Sequence, residues 1–255
     1  MKKINFSKIG VGKKIVMLTA YDCQTATLLE SAGVDIVLVG DSLGMVVLGY
    51  NNTRNVSMDD MLHHTRAVAN GIKSTPIVAD MPRGTYSLTK KAVSNARLLL
   101  KAGADAIKTE GLNPKVTSAL IKAKIPVMGH LGLLPQTTKQ YRVQGREEKD
   151  AEKILKQAMK LESLGVFAIV LECIPENLAE KITNTINIPT IGIGAGKHCS
   201  GQVLVTNDLL CLNPEFKPRF VKRYANLSAS IKKAVTNFKQ DVRLGRFPSK
   251  ETSFQ

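Results

Sequence analysis

The feature that most restricts this chain is an alternation, repeated along most of its length, of short apolar β-rich runs with longer segments spaced for helix. The short runs fall at 15–20, 35–39, 76–79, 106–108, 126–128, 167–171 and 190–193. Helix-spaced segments at 25–32, 58–70, 90–102, 114–123, 147–164 and 177–186 separate most of them. An eighth strand is expected near 202–205 and a basic helix over 217–240. Apolar strands divided by helices imply a parallel sheet covered on both faces. About eight such units in 255 residues favour an α/β fold of the closed (β/α)8 TIM barrel type over an open sheet. No stretch reads as a linker, so residues 1–255 are expected to form one barrel domain with a basic helical segment at its C-terminal end.

Two boundary marks support this. Helical segments close on Ala32-Gly33, Ala102-Gly103 and Leu164-Gly165, the C-terminal glycine that accepts a left-handed backbone. Strand runs resume within a few residues, at Asp35, Asp105 and Phe167. The cysteines (Cys23, Cys173, Cys199 and Cys211) lie far apart without C-x-x-C spacing, which argues against a zinc site or a disulfide framework and for a reducing, cytoplasmic setting. The first apolar run is too short and too polar for a secretory signal. No stretch approaches the roughly 20 apolar residues of a membrane span, so no membrane partner is expected.

The formal net charge of +15 points elsewhere, to nucleic acid. Lysines outnumber arginines 26 to 10, however, and are scattered, although 213–250 holds ten basic and two acidic residues. There is no arginine cluster or aromatic platform, so solvated lysine-rich faces explain the charge and no nucleic-acid partner is expected. A basic rim attracting an acidic small molecule stays open.

The acids carry more information. Asp41 follows the run 36–40, Asp80 follows 77–79, Glu110 follows 106–109 and Glu172 follows 168–171, while His130 sits one glycine beyond 126–128. Barrel strands all emerge on one face, where such folds build their sites, and neighbouring strands lie about 4.8 Å apart. Asp41, Asp80 and Glu110 thus come within reach of one point. Three carboxylates so placed repel unless a cation lies between them, and an all-oxygen set suits a hard ion such as Mg2+. Lys108 shares a strand face with Glu110, which suits an anionic substrate beside a metal, a structural ion pair being the plainer alternative.

Plainer roles exist for each. A strand-end Asp often caps the next helix, and His130 alone reads as readily as a packed histidine. Four acids that all follow apolar runs are harder to explain as independent caps. His63 and His64 fall within a helix and His198 in a loop, where structural or exposed roles are expected. The loop Gly192-Ile193-Gly194-Ala195-Gly196 brings backbone close to something but lacks dinucleotide spacing.

Several segments together resemble the ketopantoate hydroxymethyltransferase family. They are Val39-Gly40-Asp41-Ser42-Leu43-Gly44-Met45, Ala79-Asp80-Met81-Pro82, Ile107-Lys108-Thr109-Glu110-Gly111, Gly129-His130-Leu131-Gly132-Leu133-Leu134-Pro135-Gln136, Tyr141-Arg142-Val143-Gln144-Gly145-Arg146, Leu171-Glu172-Cys173-Ile174-Pro175 and Ile191-Gly192-Ile193-Gly194-Ala195-Gly196. The resemblance runs from about 13 to 254 and implies a barrel of the phosphoenolpyruvate/pyruvate type. It implies transfer of a one-carbon unit from 5,10-methylenetetrahydrofolate, as co-substrate, to 3-methyl-2-oxobutanoate, giving 2-dehydropantoate for pantothenate synthesis. By the same resemblance Asp41 and Asp80 bind Mg2+ with Glu110 completing or supporting the shell. Asp41, Ser42, Asp80, Lys108 and His130 lie against the keto acid, and Glu172 is the general base for a Mg2+-stabilised enolate. Family members are often decamers, so self-association is expected.

Arg83, Asn207 and Cys211 depart from the residues expected in the family, and the segment between Gln136 and Tyr141 looks about three residues short. Two other functions compete. A Mg2+-dependent lyase or aldolase on another 2-keto acid would use the same carboxylates without folate. A basic nucleic-acid-binding protein would rest on charge alone and leave the strand-end acids without a role.

Overall fold

The computed structural model describes residues 12–138 and 140–254. Its strands are β1 (Ile15–Thr19), β2 (Ile36–Val39), β3 (Ile77–Asp80), β4 (Ala106–Glu110), β5 (Val127–Gly132), β6 (Ala168–Glu172), β7 (Thr190–Ile193) and β8 (Gly201–Leu204). All pair in parallel, and β8 returns to β1 to close an eight-stranded barrel in chain order. The helices that follow the strands are α1 (Cys23–Ser31), the short α2 (Leu43–Val46), α3 (Met58–Gly71), α4 (Thr89–Lys101), α5 (Pro114–Lys122), α6 (Glu148–Leu164) and α7 (Glu176–Thr185). The expected (β/α)8 barrel is present, with every expected strand within a few residues of its run. The largest extension is in β5, which continues past Met128 to Gly132 because backbone ladder bonds run on through His130.

Side-chain alternation along the strands explains both the core and the site. Ile15, Met17, Ile36, Leu38, Val78, Ala106, Met128, Ala168, Val170, Ile191 and Val203 form one buried cluster, the filling of the barrel. The intervening strand residues Val37, Val39, Ile77, Ala79, Ile107, Val127, Leu131, Ile169 and Leu171 join the helices in a second cluster around it. Since successive residues point to opposite faces, stepping by two from the inner apolar residues arrives at Asp80, at Lys108 and Glu110, at His130 and at Glu172. The polar residues are the upper tier of the columns whose lower tier is apolar.

The opposite ends of the strands carry acids of another kind. Asp35 accepts from Val16 N at 2.9 Å and Asp105 from Ile77 N at 3.0 Å, satisfying amides where strands begin. Glu30, on α1, receives the amides of Lys73, Ser74 and Thr75 at 2.9, 2.7 and 2.8 Å and the Ser74 hydroxyl at 3.0 Å, fixing the approach to β3. Gly33, Gly103 and Gly165 take φ of 77°, 114° and 94°, as expected of glycines that end helices.

The chain divides into two compact units, the first ending at Val205 and the second beginning at Thr206. The second holds α8 (Thr206–Leu209) and α9 (Leu227–Arg243). The basic helix expected over 217–240 therefore starts ten residues later. Arg223 instead ties an irregular segment through the carbonyls of Pro214 and Phe216, both at 2.9 Å, and Asn226 caps α9 through Ala229 N at 3.2 Å. Basic composition says nothing about where a cap falls; Pro218, within the expected span, disfavours helix for the residue before it. Among the described residues no helix is long and apolar enough to cross a membrane.

Burial acts to raise the Glu30 pKa, but the three amides and the Ser74 hydroxyl outweigh it and lower it to about 2. A depressed carboxylate stabilises the fold above its unfolded pKa, and that contribution disappears as pH falls through its folded value. Glu30→Gln is therefore expected to cost about 1 kcal/mol at neutral pH, a figure kept low for solvent screening. The cost should shrink as acid is added between about pH 4.5 and 2. Urea denaturation across that range checks it; a pH-independent difference would contradict it.

Candidate active site

The strand register brings charges of opposite sign together. Asp80 stands opposite Lys108 across β3 and β4, and Glu110 opposite His130 across β4 and β5. Lys108 Nζ lies 2.9 Å from Asp80 Oδ1, both side chains being buried. His130 Nε2 is 3.0 Å from Glu172 Oε2, and Nδ1 is 3.6 Å from Glu110 Oε1. His130 is thus buried between two carboxylates, close to both, with neither imidazole nitrogen well aligned for a hydrogen bond.

The chain between β2 and α2 completes the group. Asp41 N donates to Asp80 Oδ2 at 3.0 Å. Asp41 does not cap a long helix: its side chain receives Gln136 Nε2 at 2.8 Å. The Ser42 hydroxyl pairs with the Tyr21 hydroxyl at 2.8 Å. All seven expected site residues thus gather at the C-terminal face of the barrel, Ser42 and Glu172 being less buried than the rest.

The expected three-carboxylate metal set is not preformed. Among the described residues no three His, Cys, Asp or Glu side chains stand close enough together to hold an ion. Asp41 and Asp80 are neighbours, but Lys108 and Gln136 direct donors at their oxygens, and Gln136 N holds Glu110 Oε2 at 3.1 Å.

Electrostatics follow from burial and crowding. The Asp41 carboxyl is pushed well above the usual range by burial, then by Asp80; Lys108 opposes this, Glu110 adds to it, and the Gln136 amide opposes it. Burial pulls the Lys108 ammonium down, but Asp80, Asp41 and Glu110 outweigh it and leave the pKa raised, so the lysine is charged. Burial and Lys108 lower the His130 pKa, whereas Glu110 and Glu172 hold it up at about 9. Four carboxyl groups therefore face one lysine and one histidine, and Asp41 is the one whose negative charge the site opposes.

Sequence reasoning missed Tyr21, Tyr86 and Gln136 as members of the group. Gln136 is only 2% exposed and the Tyr86 hydroxyl donates to its Oε1 at 2.7 Å. Gln136 stood in a quoted motif, yet nothing local marks a loop glutamine as buried. His64 bonds the Tyr21 carbonyl at 2.6 Å, and His198 lies 3.4 and 3.2 Å from Glu176 and Glu180. The close approach inferred for the glycine loop is to α7, since a Cβ on Gly196 would lie 2.3 Å from Glu176 Cγ.

The ketopantoate hydroxymethyltransferase family matches residues 3–250. The chain belongs to that family. It is 51% identical to the 3-methyl-2-oxobutanoate hydroxymethyltransferase of Caldicellulosiruptor bescii over 99% of this chain and 98% of that protein. It is also 51% identical to the Thermotoga maritima enzyme of the same name over 95% and 92%. Its activity class is therefore that of a ketopantoate hydroxymethyltransferase. The fold is similar to a phosphonopyruvate hydrolase solved in complex with oxalate and Mg2+, with TM-score 0.65, 14% identity and coverage of 97% and 91%. It is also similar to 2,3-dimethylmalate lyase, a PEP mutase/isocitrate lyase superfamily member, with TM-score 0.61, 15% identity and coverage of 94% and 87%.

Of the family departures, Arg83 is exposed in the turn where Thr85 N bonds Pro82 O at 3.2 Å. Asn207 lies in α8. Cys211, where the family leads one to expect glycine, adopts a left-handed φ of 56°. The short segment before Tyr141 includes Lys139, which lies outside the described residues.

Gly132 admits no such replacement. Its φ is 92°, and an added Cβ would meet the Glu172 carbonyl oxygen at 2.2 Å. Gly132→Ala must displace the end of β6, and is expected to cost about 2–4 kcal/mol in stability and to lower turnover. Thermal melting and steady-state kinetics check this; wild-type values in both would show that the strands separate freely here.

Proposed function

We propose that this chain transfers a hydroxymethyl group from 5,10-methylenetetrahydrofolate to C3 of 3-methyl-2-oxobutanoate, giving 2-dehydropantoate, with Glu172 as the base. The observation that carries the reading is the inward set of Asp41, Asp80, Lys108, Glu110, His130 and Glu172 above an apolar barrel filling, in a chain half identical to enzymes of that name over almost its full length.

The chemistry of Asp41 and Asp80 suits a divalent cation, though among the described residues no third ligand stands ready beside them. Asp80 Oδ1 is buried without an aligned hydrogen bond, Asp41 is destabilised as an anion by burial and its acidic neighbours, and the donors are hard oxygens that suit Mg2+. Asp41 and Asp80 would hold it with Glu110 supporting, and when bound it would polarise the keto oxygen as a Lewis acid. A fold relative solved with oxalate and Mg2+ is consistent with a dicarbonyl anion beside such an ion.

The chain's own groups supply the rest. Lys108, charged and fixed by Asp80, places positive potential where the keto oxygen gains negative charge, and Ser42 donates its hydroxyl beside it. Glu172 removes the C3 proton. His130, protonated at neutral pH, stands against the same carboxylate and holds its position. The resulting carbanion forms a C–C bond to the one-carbon unit of the donor. One water is consumed overall to supply the hydroxyl, and tetrahydrofolate leaves.

Pantothenate synthesis in the cytoplasm is the setting of this reading, and the four cysteines are free, as a reducing compartment keeps them. Self-association, to a decamer by family resemblance, belongs to it as well. Ile231, Val235, Phe238 and Val242 are about half exposed on α9, an apolar face that another chain would cover.

Proton NMR of 3-methyl-2-oxobutanoate in D2O with protein and Mg2+ tests the base. Loss of the C3 proton signal, with or without the folate donor, is expected to slow by about 10²–10⁴ in Glu172→Gln. Exchange at the wild-type rate in that variant would remove Glu172 from the role. Absence of product with methylenetetrahydrofolate in the wild type would overturn the reaction itself.

A further inference from the structure

Gln136 makes more polar contacts within the site than any of the residues expected there. Its Nε2 donates to Asp41 Oδ2 at 2.8 Å and to the Met81 carbonyl at 2.9 Å. Its Oε1 accepts from Tyr86, and its backbone N donates to Glu110 Oε2 at 3.1 Å. These contacts leave one orientation for the amide. With oxygen and nitrogen exchanged, Oε1 would face a carboxylate and a carbonyl, acceptor against acceptor, and Tyr86 would face two donor hydrogens. The Tyr86 oxygen is itself approached by Glu110 N at 3.3 Å, so its single hydrogen is free to point at Gln136.

We propose that Gln136, oriented by Tyr86, is the positioning residue of the carboxylate group: it holds Asp41 Oδ2, fixes Glu110 through its backbone, and so leaves Asp41 Oδ1 as the oxygen presented to a cation or keto acid. The proposal rests on the functional reading above and adds a part to it. Asp41 sits on a turn rather than in the β ladder, so its carboxylate has no strand to fix its rotamer. Asp80, in contrast, ends β3 and is steadied from both sides, by a hydrogen bond from Asp41 N to Oδ2 and by the Lys108 ammonium 2.9 Å from Oδ1. Gln136 supplies for Asp41 what register supplies for Asp80. Groups that orient a metal ligand from behind typically change metal affinity or activity by about 10–100-fold when removed.

The test uses Mn2+ as a paramagnetic probe, with water-proton relaxation read on the full chain without substrate or folate. Gln136→Met keeps the side-chain length and removes both amide functions. Gln136→Glu keeps the acceptor for Tyr86 and removes the donor to Asp41. Tyr86→Phe leaves Gln136 in place and frees its amide to turn. Mn2+ affinity is expected to fall by about 10–100-fold in both Gln136 variants, and by less in Tyr86→Phe, with the melting temperature of Tyr86→Phe near that of the wild type. Wild-type affinity in Tyr86→Phe together with either wild-type affinity or a collapsed melting transition in Gln136→Met would overturn the proposal, because Gln136 would then be packing alone. Gln136→Glu binding Mn2+ as tightly as the wild type would overturn it too, as would a wild-type chain that does not bind Mn2+. Reduced Mn2+ affinity in the variants of a chain that makes no 2-dehydropantoate would sink the functional reading and leave the positioning role standing.

Discussion

The buried contact between Lys108 and Asp80 is the interaction on which the site depends. A lysine placed inside a barrel loses its hydration, a cost of several kcal/mol for an ion that finds no partner. Here the cost is offset because β3 and β4 pair in a register that sets Asp80 directly against it, with Asp41 and Glu110 adding to the attraction. The lysine stays charged, and it is the charge that lets three acids share the barrel top.

The architecture beneath makes that arrangement possible. Closed pairing of eight strands leaves no edge, and alternation sends every second side chain to the barrel axis. The lower positions on those columns are apolar and fill the interior. The upper positions on β3 to β6 are polar and have nowhere to go except toward one another. Acids before the strands do different work: Asp35 and Asp105, joined by Glu30 near the end of α1, bind backbone amides and anchor the loops that feed the strands. One residue type thus has two physical roles, separated by which end of the strand it occupies.

Balance at the top of the barrel is incomplete. Asp41 is destabilised as an anion, Asp80 Oδ1 lacks an aligned hydrogen bond, and His130 is charged but poorly aligned with either carboxylate. A folded core normally pairs such groups, and the exceptions gather where ligands bind. Gln136 and Tyr86 limit the freedom of the unpaired groups, so that the deficit is presented in one geometry.

The sequence alone determined the barrel and its polar upper tier. Periodicity is local: the apolar runs, the helix-ending glycines and the acids after each run are read within a few residues of one another. Asp41, Asp80, Glu110, His130, Lys108 and Glu172 were legible because strand ends in a parallel barrel converge. Gln136 and Tyr86 were not legible as site members, since Gln136 meets Asp41 across 95 positions and Tyr86 across 50. Neither lies on a strand whose register could forecast the meeting. Nor was the start of α9, which a cap at Asn226 decides and composition does not. Whether three carboxylates form one ligand set or a chain of hydrogen bonds depends on ångström-scale distances set by packing. Only the tertiary structure decided that, because loop residues take their positions from whatever donors and acceptors the finished barrel places around them.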